Sequence, residues 1–156
     1  MSEFIIIVDS REKLPLNFSY YDCKTVSKKL DTGDYSIEGY EGIISCDRKK
    51  NCDELYNNFF LDYERFRREL GRFTLFSAAY IICEFPYYHL SSFPSYSKMP
   101  KKKIPYLRFT SQHLVDKVKH IEEKYGVKFI FCDGRMECEQ RIFEILKEFW
   151  EKNNIL

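Results

Sequence analysis

The residues between Gly33 and Asp53 constrain the chain more than any others. Two strand-forming runs, Tyr35 to Ile37 and Ile43 to Cys46, flank Gly39-Tyr40-Glu41-Gly42, and a four-residue connection bracketed by glycines makes a β-hairpin. Pairing centred on that connection sets Asp34 directly opposite Asp47. Side chains alternate along a strand, so Asp47 and Lys49 share one face and Asp34 joins them. Opposed residues have Cβ atoms about 5 Å apart, and like charges there are destabilising unless something offsets them. A divalent cation between the two carboxylates would do so. Two acids and a lysine on one face form the D…(D/E)-x-K pattern of metal-dependent phosphodiester hydrolysis. In that pattern the carboxylates hold Mg²⁺ or Mn²⁺ and the lysine steadies negative charge at the scissile phosphate. D-x-K is short and common, and by itself reads first as a solvated hairpin.

The surroundings change that balance. Asp53 stands at the start of an expected helix, and Asp9-Ser10-Arg11-Glu12 follows the first hydrophobic strand. The combined pattern D-x-R-E, G-D-Y, D-R-K-x-x-x-D resembles the nuclease domain of the XPF/Hef family of structure-specific DNA endonucleases, whose signature is G-D-x(n)-E-R-K-x-x-x-D. It occurs here as Gly33-Asp34, then Asp47-Arg48-Lys49, then Asp53. Asp47 stands where the family usually has glutamate, which keeps the charge but shortens its reach by a methylene. The resemblance implies a restriction-endonuclease-like fold with a mixed central β-sheet flanked by helices. It implies a Mg²⁺-dependent endonuclease acting on branched, flap or fork DNA and leaving 5′-phosphates. Asp34 and Asp47 would hold the metal with help from Asp9, Glu12 and Asp53. Lys49 and Arg48 would stabilise charge on the phosphate, and Arg11 would order the carboxylates or touch phosphate. Family nuclease domains pair through their C-terminal side, so a homodimer or a DNA-processing protein partner is expected. They also usually carry a tandem helix-hairpin-helix module, for which residues 1–156, read as one nuclease domain, leave no room.

With 156 residues, 44% hydrophobic and 31% charged, the composition suits a globular domain with a proper core rather than a disordered chain. A formal net charge of +1 means that DNA binding needs basic residues gathered on one face. No signal peptide or membrane span is apparent, since the run Phe4 to Val8 is cut off at once by Asp9, and an intracellular location is the default expectation. In that setting Cys23, Cys46, Cys52, Cys83, Cys132 and Cys138 are expected to be reduced. None forms a C-x-x-C pair, which argues against structural zinc.

Phe4 to Val8 reads as a strand buried on both faces, with Asp9 at its carboxyl end, where α/β proteins place ligand sites; the plainer role for Asp9 and Ser10 is to open a turn. Lys24 to Leu30 reads as a half-polar strand. After the hairpin, Leu55, Phe59, Tyr63, Phe66 and Leu70 predict one helix over about 51–70, capped by Asn51 or Asp53. Asp53 then either caps or joins the site. Arg65, Arg67, Arg68 and Arg72 form a solvated face paired with Glu64 and Glu69, or a phosphate-contacting edge. Ala78 to Phe85 is a buried strand ending near Glu84. Residues 86–110 are the least regular, with four prolines and the basic residues Lys98, Lys101, Lys102, Lys103 and Arg108 among Tyr96, Tyr106 and Phe109. That loop is either solvated or a grip on a DNA backbone or splayed base. Ser111 opens a helix ended by Gly126, Val127 to Phe131 is a strand, and a last helix covers about 136–152. Phe149 and Trp150 on it are either core or a partner surface.

Strand, hairpin, helix, strand, helix, strand, helix predicts an α/β sandwich with a mixed sheet. Two rivals to the endonuclease reading stay open: a non-catalytic DNA-binding subunit of nuclease-like fold, and a metal-dependent hydrolase of RNA or small phosphate esters.

Overall fold

The β-branched run at the N-terminus becomes β1 (Ile5–Asp9), which lies inside the sheet and is covered on both faces, as a continuous apolar run requires. The computed structural model describes residues 3–154. Six strands form one sheet in the order β2-β1-β3-β4-β5-β6, with β2 (Lys24–Lys28), β3 (Tyr35–Ile37), β4 (Ile44–Lys49), β5 (Ala78–Cys83) and β6 (Lys128–Phe131). β3 runs antiparallel to both its neighbours, and the other pairs are parallel. The expected mixed α/β sheet is therefore the architecture found. Edge strand β2 is mostly exposed and carries Lys24, Thr25, Ser27 and Lys28 along its length, which blunts it against pairing with other chains.

Helices cover both faces. The long α5 (Arg135–Asn153) buries Cys138, Ile142 and Leu146 against Ile6, Tyr35, Ile37, Ile44, Cys46 and Ile82. On the opposite face α1 (Cys52–Tyr56), α2 (Tyr63–Phe73) and α4 (Ser111–Tyr125) pack Leu55, Phe66, Leu70, Leu114 and Ile121 against Ala79, Ile81 and Cys83. Phe149 and Trp150 are half-buried and engaged within the chain: Trp150 lies against Phe4, with ring centroids 5.6 Å apart, and Phe149 meets Tyr40 at 5.7 Å. Among the described residues no helix is long and apolar enough to cross a membrane.

The hairpin has the expected register, Tyr35 opposite Cys46. Its entry depends on Gly33, where φ is +87° and a Cβ would lie 1.8 Å from the Ser45 hydroxyl, which itself donates to the Thr32 carbonyl. Gly33→Ala therefore combines a left-handed backbone with a buried clash. It is expected to cost at least about 2 kcal/mol, read as a lower urea midpoint with an unchanged slope.

The apolar repeat over 51–70 does face the core, but it is not one helix. Between α1 and α2 the backbone opens into a π-helical turn (Asn57–Leu61) and breaks at Asp62, whose N–H donates to the Asn57 carbonyl. Asn57, Asn58 and Asp62 are weak helix formers that compete with the backbone for hydrogen bonds, and apolar spacing is blind to that. Residues 86–110 are likewise more ordered than expected, holding α3 (Tyr88–Ser91) and a 3₁₀ turn (Lys101–Tyr106). At the start of α4 Thr110, not Ser111, is the cap, and its N–H donates to His113 Nδ1 at 3.0 Å. Gly126, at φ +70°, ends that helix as expected.

Candidate active site

β4 alternates its side chains as any strand must, and this divides the D-R-K triplet between two faces. Asp47 and Lys49 point toward α2, and Lys49 Nζ sits 3.0 Å from Asp47 Oδ2 and 5.1 Å from the centre of the Phe66 ring. Asp34 reaches the same place from the other strand. Its N–H donates to the Cys46 carbonyl at 3.0 Å, and its Oδ2 accepts the Arg48 N–H at 2.7 Å, which fixes the carboxyl beside Asp47. Glu69, from α2, meets the same Asp47 carboxylate. This residue was not among those expected at the site. The signal was present, because 66, 69, 70 and 73 form one continuous i, i+3, i+4, i+7 stripe, and Phe66, Leu70 and Phe73 are its buried members.

Three carboxyls and one ammonium share this buried spot, and they do not all ionise. Burial works to raise Asp47, but the Lys49 ammonium and hydrogen bonds with Asp34, Lys49 and Glu69 hold it below the usual carboxylate range. Burial, with the Asp47 charge beside it, pushes Asp34 well up. The same two causes push Glu69 to about 8. Lys49 is raised above its ordinary value: burial opposes its charge, and Asp47, Glu69 and Glu54 outweigh burial. Asp47 is thus the carboxylate of the cluster that pairs with Lys49, and burial and its charge push Asp34 and Glu69 toward their protonated forms.

A proton favoured on these flanking acids offsets the like charges as a cation would. Asp47 Oδ2 is buried and accepts no well-aligned hydrogen bond, leaving a lone pair directed at nothing but the ion pair with Lys49. Mg²⁺ is commonly held by one or two carboxylates, completing its shell with waters and substrate oxygens. Asp34 and Asp47 fit that donor set, with Glu69 alongside. No three acidic, histidine or cysteine side chains among the described residues are placed to enclose a metal outright.

The raised acids make a pH prediction. A carboxyl whose folded pKa exceeds its unfolded value binds more protons when folded across the interval between the two. Stability is therefore full below the unfolded value, 4.5 for Glu69, and is lost as pH rises through about 8; Asp34 contributes in the same direction. Thermal melts in chelator should fall between pH 5 and pH 8.5. Glu69→Gln should remove a few kcal/mol of that fall, gaining on the wild type at pH 8.5 and not at pH 5. Parallel pH curves for the two proteins would dismiss the protonated Glu69.

The other expected site residues divide. Asp9 is buried, and its oxygens are committed to the Leu30 N–H at 2.8 Å and to Arg11 at 3.2 and 3.4 Å. It lines the cleft with Asp34 and Asp47 and ties the end of β1 to the segment after β2. Arg11 spans the cleft wall with its side chain 58% exposed. Glu12 turns away to accept the Tyr35 hydroxyl at 2.7 Å and to pair with Arg48. Arg65 and Arg72 line the cleft, whereas Arg67 pairs with Glu64 at 2.9 Å.

No sequence-family model matches the chain, and neither does any curated protein. Solved structures do match. XPF from Aeropyrum pernix superposes with a TM-score of 0.67 at 18% identity, over 92% of this chain and 63% of that one. XPF from Aeropyrum pernix in complex with DNA gives 0.67 at 17% identity, over 96% and 66%. The chain has the XPF fold. It spans a little under two thirds of the XPF chains it matches, and at this identity the likeness is one of fold.

Two expectations taken from the XPF pattern meet a different geometry. The Arg48 side chain lies on the α5 face, away from Asp34 and Asp47, bonded to Glu12 at 2.8 Å, Glu84 at 2.7 Å and the carbonyls of Lys13 and Leu14. Strand alternation forces this, and it also gives Glu84 its role. Asp53 is not brought to the cluster either. Asn51 takes the capping position by accepting the Glu54 N–H at 2.9 Å, and the Asp53 carboxylate instead binds the Ser97 hydroxyl and the Lys98 N–H. Lys101, Lys102, Lys103 and Arg108 are exposed and do not line the cleft around Asp34 and Asp47.

Proposed function

We propose that this chain is a metal-dependent DNA endonuclease domain that hydrolyses phosphodiester bonds in branched, flap or fork DNA. The observation carrying this reading is the Asp34–Asp47–Lys49 cluster, which is buried at its base and opens into a cleft lined by Arg11, Lys13, Lys50 and Arg65. A cleft in which acids and bases are interleaved suits a cation and a polyanion held together, and a fold shared with an XPF solved on DNA supports DNA as that polyanion. Asp34 and Asp47 would hold Mg²⁺ or Mn²⁺, with Glu69 available once it loses its proton. When bound, the metal supplies Lewis acidity and an activated water. Lys49 stays protonated and offsets charge developing on the phosphate. Arg11, held by Asp9 but 58% exposed, and Arg65, 81% exposed, stand on the cleft wall within reach of phosphate oxygens that pass along it.

Labelled flap, fork, duplex and single-stranded DNA incubated with and without Mg²⁺ tests the proposal. Cleavage of branched substrates only with metal is expected. DNA binding with neither cleavage nor Mg²⁺ binding would favour the non-catalytic subunit, a reading to which the small donor set lends some weight. A homodimer or a DNA-processing partner belongs to the same proposal, because a domain of this size with net charge +1 offers little surface for tight DNA binding alone. Light scattering at micromolar concentration should return a dimer mass or call for such a partner.

A further inference from the structure

Three parallel strands, β4, β5 and β6, end at one edge of the sheet, at Lys49, Cys83 and Phe131 in register. The candidate active site occupies the β4 end of that edge. Beyond the ends of β5 and β6 lies a group of aromatic rings that the proposed chemistry does not use. Phe85, His89 and Tyr96 form a column of nearly parallel rings: Phe85 to His89 at 6.0 Å and 9°, then His89 to Tyr96 at 4.1 Å and 11°. Phe85 is buried and anchors the inner end, and Tyr96 is 49% exposed at the outer end. Tyr88, 52% exposed, props the column edge-on at 5.0 Å from His89 and 5.3 Å from Tyr96. A single exposed ring is ordinary on a protein surface, but a parallel stack that runs from the core outward is a more specific arrangement. This stack ends on a half-exposed tyrosine, where a further flat ring could add to it.

Charge says what the platform receives. From Pro86 to Thr110 there is no aspartate or glutamate, while Lys98, Lys101, Lys102, Lys103 and Arg108 are all exposed. A protein partner's apolar patch has no use for so one-sided a field, whereas a polyanion with flat apolar rings matches both features. The segment is also held against the active cleft. Asp53 fastens Ser97 and Lys98, and Glu54 beside it lines both the cleft at Asp47 and the hollow at Lys98 and Met99.

We infer that the Tyr96 column and the lysines following it bind single-stranded DNA, stacking a base of the unpaired arm on Tyr96 as that arm leaves the cleft. This deepens the endonuclease reading by giving the branched substrate's single strand its own site, and it rests on that reading only for the arm's origin. Its test is therefore a binding measurement in chelator, in which no cleavage takes place.

Anisotropy of a labelled oligo-dT should show binding by the wild type, with Tyr96→Ala weakening it on the order of tenfold and Tyr96→Phe restoring it, as loss of one stacked base requires. An abasic oligonucleotide of equal length should bind weakly and should not distinguish the three proteins. Replacing Lys101, Lys102 and Lys103 together by alanine should lower the salt slope by about 0.7 for each phosphate no longer neutralised. The lysine variant should melt like the wild type, since those side chains are exposed, and Tyr96→Ala, which gives up its contacts with His89 and Tyr88, should remain folded at the assay temperature. No binding of oligo-dT by the wild type, equal binding by Tyr96→Ala, or an equal loss on blunt duplex would overturn the inference. A failed cleavage assay with these binding results intact would sink the endonuclease reading alone.

Discussion

Asp47→Asn is expected to remove Mg²⁺-dependent cleavage, by at least about three orders of magnitude, while leaving the fold intact. Asp47 is the carboxylate that stays ionised, the one Asp34 and Glu69 both address, and the partner of Lys49. An amide there offers one neutral oxygen to a cation in place of a charged group, and hydrolysis at phosphate depends steeply on such preorganised charge. Stability should change little, within about 1 kcal/mol. Once Asp47 is neutral, burial still raises Glu69 but the Asp47 charge no longer adds to it, and the Lys49 ammonium favours ionised Glu69 in its stead. Isothermal titration with Mg²⁺ gives a readout separate from turnover and should show the same loss. Asp47→Glu restores the residue usual in the XPF/Hef pattern and should keep activity. Undiminished cleavage by Asp47→Asn would count decisively against Asp47 as a metal ligand.

Arg48→Ala should instead destabilise the protein by roughly 3–5 kcal/mol, and any loss of activity should follow from that. The guanidinium has no solvent exposure, and its partners Glu12 and Glu84 have side chains only 10% and 13% exposed. Removing it takes away the buried counter-charge of two carboxylates, leaving Glu12 only the Tyr35 hydroxyl and Glu84 only Arg135 at 3.9 Å, and breaking a buried ion pair from one side costs about that much. At about 2–4 °C per kcal/mol for a domain of this size, the melting temperature should drop by roughly 10 °C. Arg48→Lys should recover little, because a single ammonium cannot reproduce a planar fork bonded to four oxygens. Adding Glu12→Gln and Glu84→Gln to Arg48→Met should recover more than Lys does. A variant at Arg48 that melts like the wild type yet loses DNA cleavage would return this residue to the phosphate.

These two neighbours in sequence behave so differently because parity along a strand is legible from sequence and the environment on each face is not. Two glycines around a short connection, with apolar residues alternating on either side, fixed the pairing of Tyr35 with Cys46 and hence the meeting of Asp34 with Asp47. The buried run at β1, the mixed α/β order and the last helix were equally readable, because hydrophobic periodicity is a local property of the chain. Parity also required Arg48 to face away from Asp47; treating D-R-K as one functional unit obscured this. Packing between distant segments decided the remainder. Glu69 joins the cluster only because α2 packs across β4, and Asp53 is drawn off by Ser97 and Lys98, more than forty residues later. The π-helical turn follows from Asn57, Asn58 and Asp62 yielding where the apolar stripe alone would continue. The raised proton affinity of Asp34 and Glu69 is likewise tertiary: each is an ordinary acid in the unfolded chain, and only burial beside one shared carboxylate pushes both up.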